Sequence, residues 1–448
     1  MCSIIDQAVE QFSQYADRDA IVCAGKTWSY QQLKQAIDHW HKLIENEGIK
    51  PGTCVAIAGD YSLSTTALII ALAACRCIVV PLTSSNKNQQ LEYLDIAEVR
   101  YLIEFGPLDE WTIEQRETST HHPLIQALTE QNKSGLILFS SGTTGKPKAS
   151  LLDFDVFFSK FRSDRPGMKT LVFLLLDHIG GLNTLFAVLM QGGTLVTPDA
   201  RDADTICRSI EQNNIELLPT SPTFLRMLLI SGAHERFDLS SLKIITYGTE
   251  PMPESTLQAL AAALPSIKLK QTYGLSELGI MSTRSKQSNS TLVKIGGDGF
   301  DYKIIDNILW IKSRSAMLGY LNHDDPFDEH GWFNTNDVVE IHGDYLKILG
   351  RQSEIINVGG EKVYPNEVES ILLRDSNVAD VTVSGKSNPV TGQIVVAKVS
   401  LVEQEESAAV NRRLRQLCSQ HLERYKVPMM ITVSLGAHHS ERFKKIRG

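Results

Sequence analysis

A chain of 448 residues, 42% hydrophobic and 21% charged, is long enough for two or three domains with substantial cores and too ordinary in composition for a disordered or fibrous protein. Its formal charge of −8 excludes general nucleic-acid binding, which needs a dense basic face, but allows a local basic site for an anionic nucleotide. The seven cysteines (Cys2, Cys23, Cys54, Cys75, Cys77, Cys207 and Cys418) are scattered and include no C-x-x-C pair. Such a set suits a reducing, cytoplasmic compartment better than a disulfide framework or a zinc site.

In chain order, the N-terminal "MCSIIDQAVEQF" has no basic region followed by an apolar run, so no signal peptide is expected. In "YQQLKQAIDHWHKLIENEG", Leu33, Ile37, Trp40 and Ile44 recur at helical spacing and predict a helix with one packed face. Short apolar runs follow: "CVAIAG" (54–59), "CIVVPL" (77–82), "YLIEF" (101–105), "GLILF" (135–139), "TLVFLLL" (170–176), "GTLVTP" (193–198), "IELLPT" (215–220) and "LKIITYG" (242–248). They alternate with helical patterns such as "TFLRMLLISG", the rhythm of an α/β protein with parallel or mixed sheets and flanking helices.

Two stretches invite a membrane reading. "TTALIIALAACRCIVVPL" is broken by Arg76, and "LVFLLLDHIGGLNTLFAVLMQGG" carries Asp177, His178 and a Gly-Gly break. Neither supplies the ~20 uninterrupted apolar residues of a spanning helix. Each is predicted as a buried helix joined to a buried strand, with no membrane span.

From Lys303 the texture changes to short mixed strands, "YKIID", "ILWIKS" and "VVEIHGDYLKILG", which predict a small β-rich unit. Beyond Arg351 lies a compact tail of strand-helix-strand pattern. The boundary is placed near Arg351–Glu354, giving a large N-terminal domain over residues 1–351 and a small mobile α+β domain over 352–448.

The stretch with the clearest chemistry is "SSGTTGKPK", Ser140 to Lys148, directly after the apolar "GLILF". It is not a Walker loop, because Ser140 stands where that motif needs glycine and Pro147 follows Lys146. Nor is it a Rossmann fingerprint, since Gly142 and Gly145 are its only glycines. Hydroxyls, backbone N–H groups and lysines nevertheless converge here as anion binding requires. The competing reading, a flexible linker, fits poorly with a buried strand on one side and Lys-Pro-Lys on the other.

Further motifs follow in order: "TYGTEP" (246–251), "QTYGLSELG" (271–279), "GWFNTND" (331–337), "GRQSEIINVGGEKVYPNEVE" (350–369) and a terminal "KKIR" (444–447). Together they resemble the acyl-adenylate-forming, AMP-binding superfamily of acyl-CoA synthetases, aryl acid ligases, peptide-synthetase adenylation domains and firefly luciferase. The resemblance runs from about Asp17 to Lys445. It implies two half-reactions: a carboxylate attacks the α-phosphate of ATP, releasing pyrophosphate, and a thiol then displaces AMP from the acyl-adenylate. Two anions must be brought together in the first step, so positive charge and a magnesium ion are implied.

By this resemblance, Ser140, Ser141, Gly142, Thr143, Thr144, Gly145, Lys146 and Lys148 cover the β- and γ-phosphates. Ser276 contacts the α-phosphate and Glu277 binds Mg2+, a cation that prefers hard oxygen ligands. Gly248, Thr249, Glu250 and Tyr273 surround the adenine, with Tyr273 stacked on the ring. Asp337 accepts the ribose hydroxyls and Arg351 is a second ribose contact. Lys445 bridges carboxylate and α-phosphate during adenylation; Lys444, beside it, is the alternative. Ser353 matches the hinge about which the small domain rotates, and Gly359 and Gly360 leave room for a pantetheine arm.

The chain departs from the family pattern at three places. Asn336 stands where glycine is usual, Ser353 where Asp or Lys is usual, and Phe443-Lys444-Lys445 where Gly-Lys is usual. Asparagine tolerates a left-handed backbone, so the turn presenting Asp337 is expected to survive.

The acid pocket is expected along 174–186, 219–228 and 248–281, with His178, Thr220 and Gly274 as substrate contacts; a core role for His178 is the alternative. Amino-acid-activating relatives place an aspartate just after the His178 position, where this chain has Ile179. The expected substrate is therefore a small-molecule aliphatic or aromatic carboxylic acid without an α-amino group. The acceptor is coenzyme A or the phosphopantetheine of a separate carrier protein. A stand-alone amino-acid adenylation protein and a catalytically degenerate nucleotide binder are the alternatives.

Overall fold

The computed structural model describes residues 4–83, 89–107, 109–118, 122–141, 146–161 and 166–434. The chain forms two compact units, each assembled from separated segments: 1–219, 274–280 and 312–328 in the first, and 220–273, 281–311 and 329–448 in the second.

The first unit is built on a seven-stranded sheet. Across it the strands run Gly319–Tyr320, Pro147–Asp153, Gly135–Ser141, Ile78–Leu82, Cys54–Ala58, Tyr101–Phe105 and Trp111–Gln115. The four inner strands from Gly135–Ser141 to Tyr101–Phe105 are parallel, and the outer ones are antiparallel, as the mixed-sheet expectation requires. Parallel strands need covered faces, and the sequence supplies the cover. The helix Leu63–Ala74 is apolar all round and buried from Thr65 to Ala73. The helix Tyr30–Asn46 opens on a reciprocal Ser29/Gln32 capping box and buries Leu33, Ile37, Trp40 and Ile44. Each such side chain contributes about 2 kcal/mol when taken fully out of water.

A second set of strands in this unit, Leu217–Thr220, Lys169–Leu171, Thr194–Val196, Asp19–Cys23 and Lys26–Ser29, pairs in that order. Here the structure trims one expectation. "TLVFLLL" is strand only over Lys169–Leu171. Its partner Thr194–Val196 is equally short, and the chain must turn through Leu174–Asp177 to enter the helix Ile179–Met190.

In the second unit, strands Ile244–Tyr247 and Lys268–Gln271 pair in parallel, joined by the helix Glu254–Ala263. A six-stranded sheet follows, with Phe333–His342 and Tyr345–Arg351 as a central hairpin. A one-turn helix at Gln352–Glu354 then leads to a five-stranded sheet backed by the helices Pro365–Leu372 and Ser407–His421. Val368, Leu372, Val381, Val383, Val399, Val410 and Leu414 form its core. This last part is tied within the unit by Arg226, whose guanidinium donates to the Val378 carbonyl at 2.7 Å, and by Ser255, which donates to the Ser370 carbonyl at 3.0 Å. No described helix is long and apolar enough to cross a membrane.

Candidate active site

In the first unit the Ser/Thr/Gly stretch is the connection of an antiparallel hairpin, with Ser140 opposite Lys148 and Ser141 opposite Pro147. Gly142, Thr143, Thr144 and Gly145 lie outside the described residues. Lys146 is exposed and Lys148 half-buried. The outgoing strand is clamped from far along the chain: Asn322 donates to the Pro147 carbonyl at 2.8 Å and accepts from the Ala149 N–H at 3.0 Å. The short strand Gly319–Tyr320 pairs with Ser150 and Leu151 and brings the Tyr320 ring within 5.1 Å of the Lys148 ammonium.

Ser276 and Glu277 occupy the turn of a second, much shorter hairpin, Gly274–Leu275 against Gly279–Ile280. Two glycines make that turn. At Gly274 a Cβ would fall 2.6–2.8 Å from Gly279 and Ile280, and Gly279 has a φ of +80°. The Tyr320 hydroxyl donates to Glu277 Oε1 at 2.7 Å, and the Met317 N–H donates to the Glu277 carbonyl at 2.8 Å. Lys148, Tyr320 and Glu277 thus form a cation–ring–carboxylate series beside the Ser140–Lys148 hairpin. Tyr320 carried no sequence signal, because "LGYLN" matches no phosphate motif and lies 172 positions from Lys148.

His178 caps the helix Ile179–Met190: its Nδ1 accepts the Gly180 N–H at 3.0 Å, so the neutral ring carries its proton on Nε2. This is the structural role weighed against substrate contact. Asp177 is buried and accepts from Thr83 at 2.9 Å. Gly181 cannot carry a side chain, since a Cβ there would sit 2.0 Å from the Leu175 carbonyl oxygen.

In the second unit, Asp337 is buried to 6% exposure, with each oxygen engaged. The Tyr273 hydroxyl donates to Oδ2, and Arg351 Nε donates to Oδ1 at 2.8 Å. Burial and the neighbouring carboxylate hold the Tyr273 hydroxyl well above its ordinary pKa, so it remains a donor. A second Arg351 nitrogen donates to the Thr335 carbonyl at 3.0 Å, and Thr335 Oγ1 accepts the Asp337 N–H at 3.1 Å. An ionised carboxylate has about four lone-pair sites, so Asp337 retains acceptor capacity for a diol. Asn336 adopts φ +57°, the left-handed turn expected of it.

Gly248 is packed too tightly for a side chain, with a Cβ 2.4 Å from Thr272 Oγ1. Thr249 follows with φ +73°, a strained conformation for a β-branched residue and a feature no sequence pattern announced. Glu250 accepts from both the backbone N–H and the hydroxyl of Thr223, fixing the "GTE" segment to the start of the helix Pro222–Ser231. Thr220 is buried, and its hydroxyl has no partner among the described residues.

Gly359 and Gly360 form the two-residue turn between Ile356–Val358 and Glu361–Val363, at φ +61° and +93°. A turn of this kind demands glycine by itself. Ser353 is exposed in the Gln352–Glu354 turn. Lys444 and Lys445 lie outside the described residues.

The pattern of the AMP-binding enzyme family matches residues 8–321, and that of the AMP-binding enzyme C-terminal domain matches 367–435. The chain belongs to the AMP-binding enzyme family. Among its relatives, an indoleacetate–CoA ligase of Aromatoleum aromaticum is 27% identical, with 93% of each chain covered. A 2-succinylbenzoate–CoA ligase of Bacillus pumilus is 27% identical over 92% of this chain and 90% of the other. The fold of this AMP-binding enzyme is shared with an anthranilate–CoA ligase solved with anthranoyl-AMP, at a TM-score of 0.83, 19% identity and coverage of 98% and 95%. It is also shared with the o-succinylbenzoate–CoA synthetase of Bacillus subtilis solved with its acyl-adenylate, at a TM-score of 0.78, 21% identity and coverage of 98% and 96%.

Proposed function

We propose that this AMP-binding enzyme is an ATP-dependent, AMP-forming acid–CoA ligase acting on a carboxylic acid, with an aromatic acid favoured by the aryl acids named for its relatives. In the first half-reaction a carboxylate oxygen bonds to the α-phosphorus of ATP and pyrophosphate leaves with the electron pair of the broken P–O bond. In the second, the sulfur of coenzyme A bonds to the acyl carbonyl, AMP departs, and the thiol proton passes to solvent.

The observation that carries the reading is the Lys148–Tyr320–Glu277 series beside the Ser140–Lys148 hairpin. Lys148 and Lys146, with the hydroxyls and N–H groups of Ser140 to Gly145, hold the β- and γ-phosphates, and Ser276 the α-phosphate. No group of three or more metal-ligating side chains occurs among the described residues, which suits a cation taking most of its oxygens from phosphate and water. Glu277 is the carboxylate that would hold magnesium, with Tyr320 fixing its orientation. A magnesium ion held by Glu277 would supply positive charge against the triphosphate.

Asp337 accepts the ribose hydroxyls, preset by Tyr273 and Arg351, while Gly248, Thr249 and Glu250 border the base. With its hydroxyl committed to Asp337, Tyr273 is available to the nucleoside through its ring alone. Lys445 supplies positive charge between carboxylate and α-phosphate, with Lys444 as the alternative, and Ser353 serves as the hinge that exchanges it for the Gly359–Gly360 turn. A separate carrier protein bearing phosphopantetheine is the second acceptor considered.

ATP–pyrophosphate exchange with magnesium tests the reading, run against indole-3-acetate, 2-succinylbenzoate, anthranilate, graded aliphatic acids and the common amino acids, followed by thioester formation with coenzyme A. Exchange with an aryl or aliphatic acid and thioester release is the expected result. Exchange with amino acids alone points to an amino-acid adenylation protein. Silence across the panel with ATP bound refutes catalysis.

A further inference from the structure

The strand Pro147–Asp153 is paired along one side for its whole length, from Ser141 opposite Pro147 to Gly135 opposite Asp153. Its partner on the other side is two residues long, with Gly319 opposite Leu151 and Tyr320 opposite Ser150. Carried two residues further, the same register sets Leu321 against Ala149 and Asn322 against Lys148. The Leu321 N–H keeps to it, donating to the Ala149 carbonyl at 2.9 Å. The chain then leaves the sheet, and the Asn322 side chain takes over. Its Oδ1 accepts the Ala149 N–H at 3.0 Å, in the place a regular ladder gives to a backbone carbonyl, and its Nδ2 donates to the Pro147 carbonyl at 2.8 Å. An amide offers a donor and an acceptor in one plane, as a peptide group does. Asn322 therefore grips the chain one residue before Lys148 and one residue after it.

The bland explanations for this clamp fail. Asn322 is exposed, so it fills no core. An asparagine that shaped only its own turn would bond its own backbone two residues on, whereas this one reaches back 173 and 175 positions. The strand is anchored without it, because Ala149, Leu151 and Leu152 are buried in the core of the unit. What the clamp fixes is the end of the strand from which the Lys148 side chain departs. Lys148 is also the diagonal neighbour of Tyr320 across the two strands, which is why its ammonium lies 5.1 Å from that ring.

We propose that Asn322 is a positioning residue for the triphosphate. By holding the peptide groups on both sides of Lys148 it aims that ammonium at the terminal phosphates, and so sets how strongly the protein prefers ATP to AMP. The inference rests on the reading that the Ser140–Lys148 hairpin holds the β- and γ-phosphates, and deepens it by placing part of the discrimination on a side chain that acts through Lys148. Attraction between ammonium and phosphate falls with distance and with the water admitted between them. A strand end free to drift thus loses affinity for ATP and leaves that for AMP as it was.

Calorimetry on the full chain, with magnesium present and no acid, tests this. ATP and AMP binding are measured for the wild type, Asn322→Leu, Asn322→Gln, Lys148→Met and the variant combining Asn322→Leu with Lys148→Met. Leucine keeps the branched shape and loses both bonds. Asn322→Leu is expected to bind ATP about 5- to 10-fold more weakly, the worth of two hydrogen bonds partly open to water, with AMP affinity changed less than about twofold. Asn322→Gln, which keeps the amide, is expected to recover part of the loss. In the Lys148→Met background the same Asn322→Leu change is expected to cost ATP less than about twofold, since no ammonium is left to aim. Asn322→Ser, which adds no bulk, supplies the same comparison should Asn322→Leu fail to fold. Equal losses for ATP and AMP overturn the inference, and so does a full loss of ATP affinity that persists without Lys148. Unchanged ATP affinity in Lys148→Met refutes the phosphate reading itself; a loss there with none in Asn322→Leu overturns the inference alone.

Discussion

Replacing Lys160, the residue after the helix Phe154–Ser159 whose Nζ is shielded from solvent, by methionine keeps the length and volume of the side chain and removes only the amine. The change in stability therefore measures what burying that amine costs. Its ordinary pKa of 10.5 falls to about 7 in the folded chain. The unfolded chain therefore holds this proton up to about pH 10.5 while the folded chain releases it above about pH 7. Where the unfolded state binds more protons, stability rises with pH. Wild type is thus penalised in full below about pH 7 and recovers as pH climbs toward 10.5, and Lys160→Met lacks this dependence. At about 1.4 kcal/mol per pH unit, a displacement of about 3.5 units sets a ceiling near 5 kcal/mol. Between pH 7 and pH 9.5 the variant's advantage shrinks by up to about 3.5 kcal/mol, less whatever water reaches the half-buried stem. Urea denaturation of both proteins at half-unit pH steps, followed by tryptophan fluorescence and circular dichroism together, gives the difference in midpoint. A stability gap that stays constant from pH 6.5 to 9.5 would refute the reasoning, because the amine would then be hydrated or paired.

Asp337→Asn keeps the shape of the proposed ribose acceptor but leaves Arg351 facing a neutral amide; AMP affinity measured by calorimetry should fall by about 10- to 100-fold, and unchanged affinity removes Asp337 from the site. Tyr320→Phe deletes only the hydroxyl that orients Glu277, so exchange should drop by about 10-fold and the magnesium concentration for half-activity should rise; a drop with no change in magnesium dependence would mean that Tyr320 acts otherwise. Lys445→Ala should abolish adenylation while sparing thiolysis of a supplied acyl-AMP, with Lys444→Ala as its control. Equal loss of both steps would sink that division of labour.

Much of this architecture was readable because local patterns agree with the global fold. The alternation of apolar runs and amphipathic helices located the inner parallel strands within a residue or two, since fully buried strands must be continuously apolar. "TLVFLLL" misled for the same reason: apolar content marks burial, and the bend into the His178-capped helix is as buried as a strand. In the site, Asn336 was legible because its left-handed backbone limits the residue types that fit. Tyr320, Asn322 and Thr223 were not. Each acts through a contact made across a large stretch of chain, and a lone Tyr, Asn or Thr has no local signature for that. Lys160 was hidden too, because a lysine after a phenylalanine-rich helix reads as an ordinary surface cap until its Nζ is found shielded.

The clamp that Asn322 places on Pro147 and Ala149 spans more than 170 residues, and the unit containing it draws its last segment from residues 312–328. Contacts so distant in sequence are slow to form and come last in an ordered assembly. During synthesis the hairpin around Ser140–Lys148 emerges early, but the edge strand and side chain that brace it do not exist until the ribosome has passed residue 322. A nascent chain of 300 residues therefore exposes an unfinished sheet edge beside the hairpin around Ser140–Lys148. Translation pauses, truncations and chaperone dependence should consequently weigh most heavily on the stretch between Gly274 and Asp328.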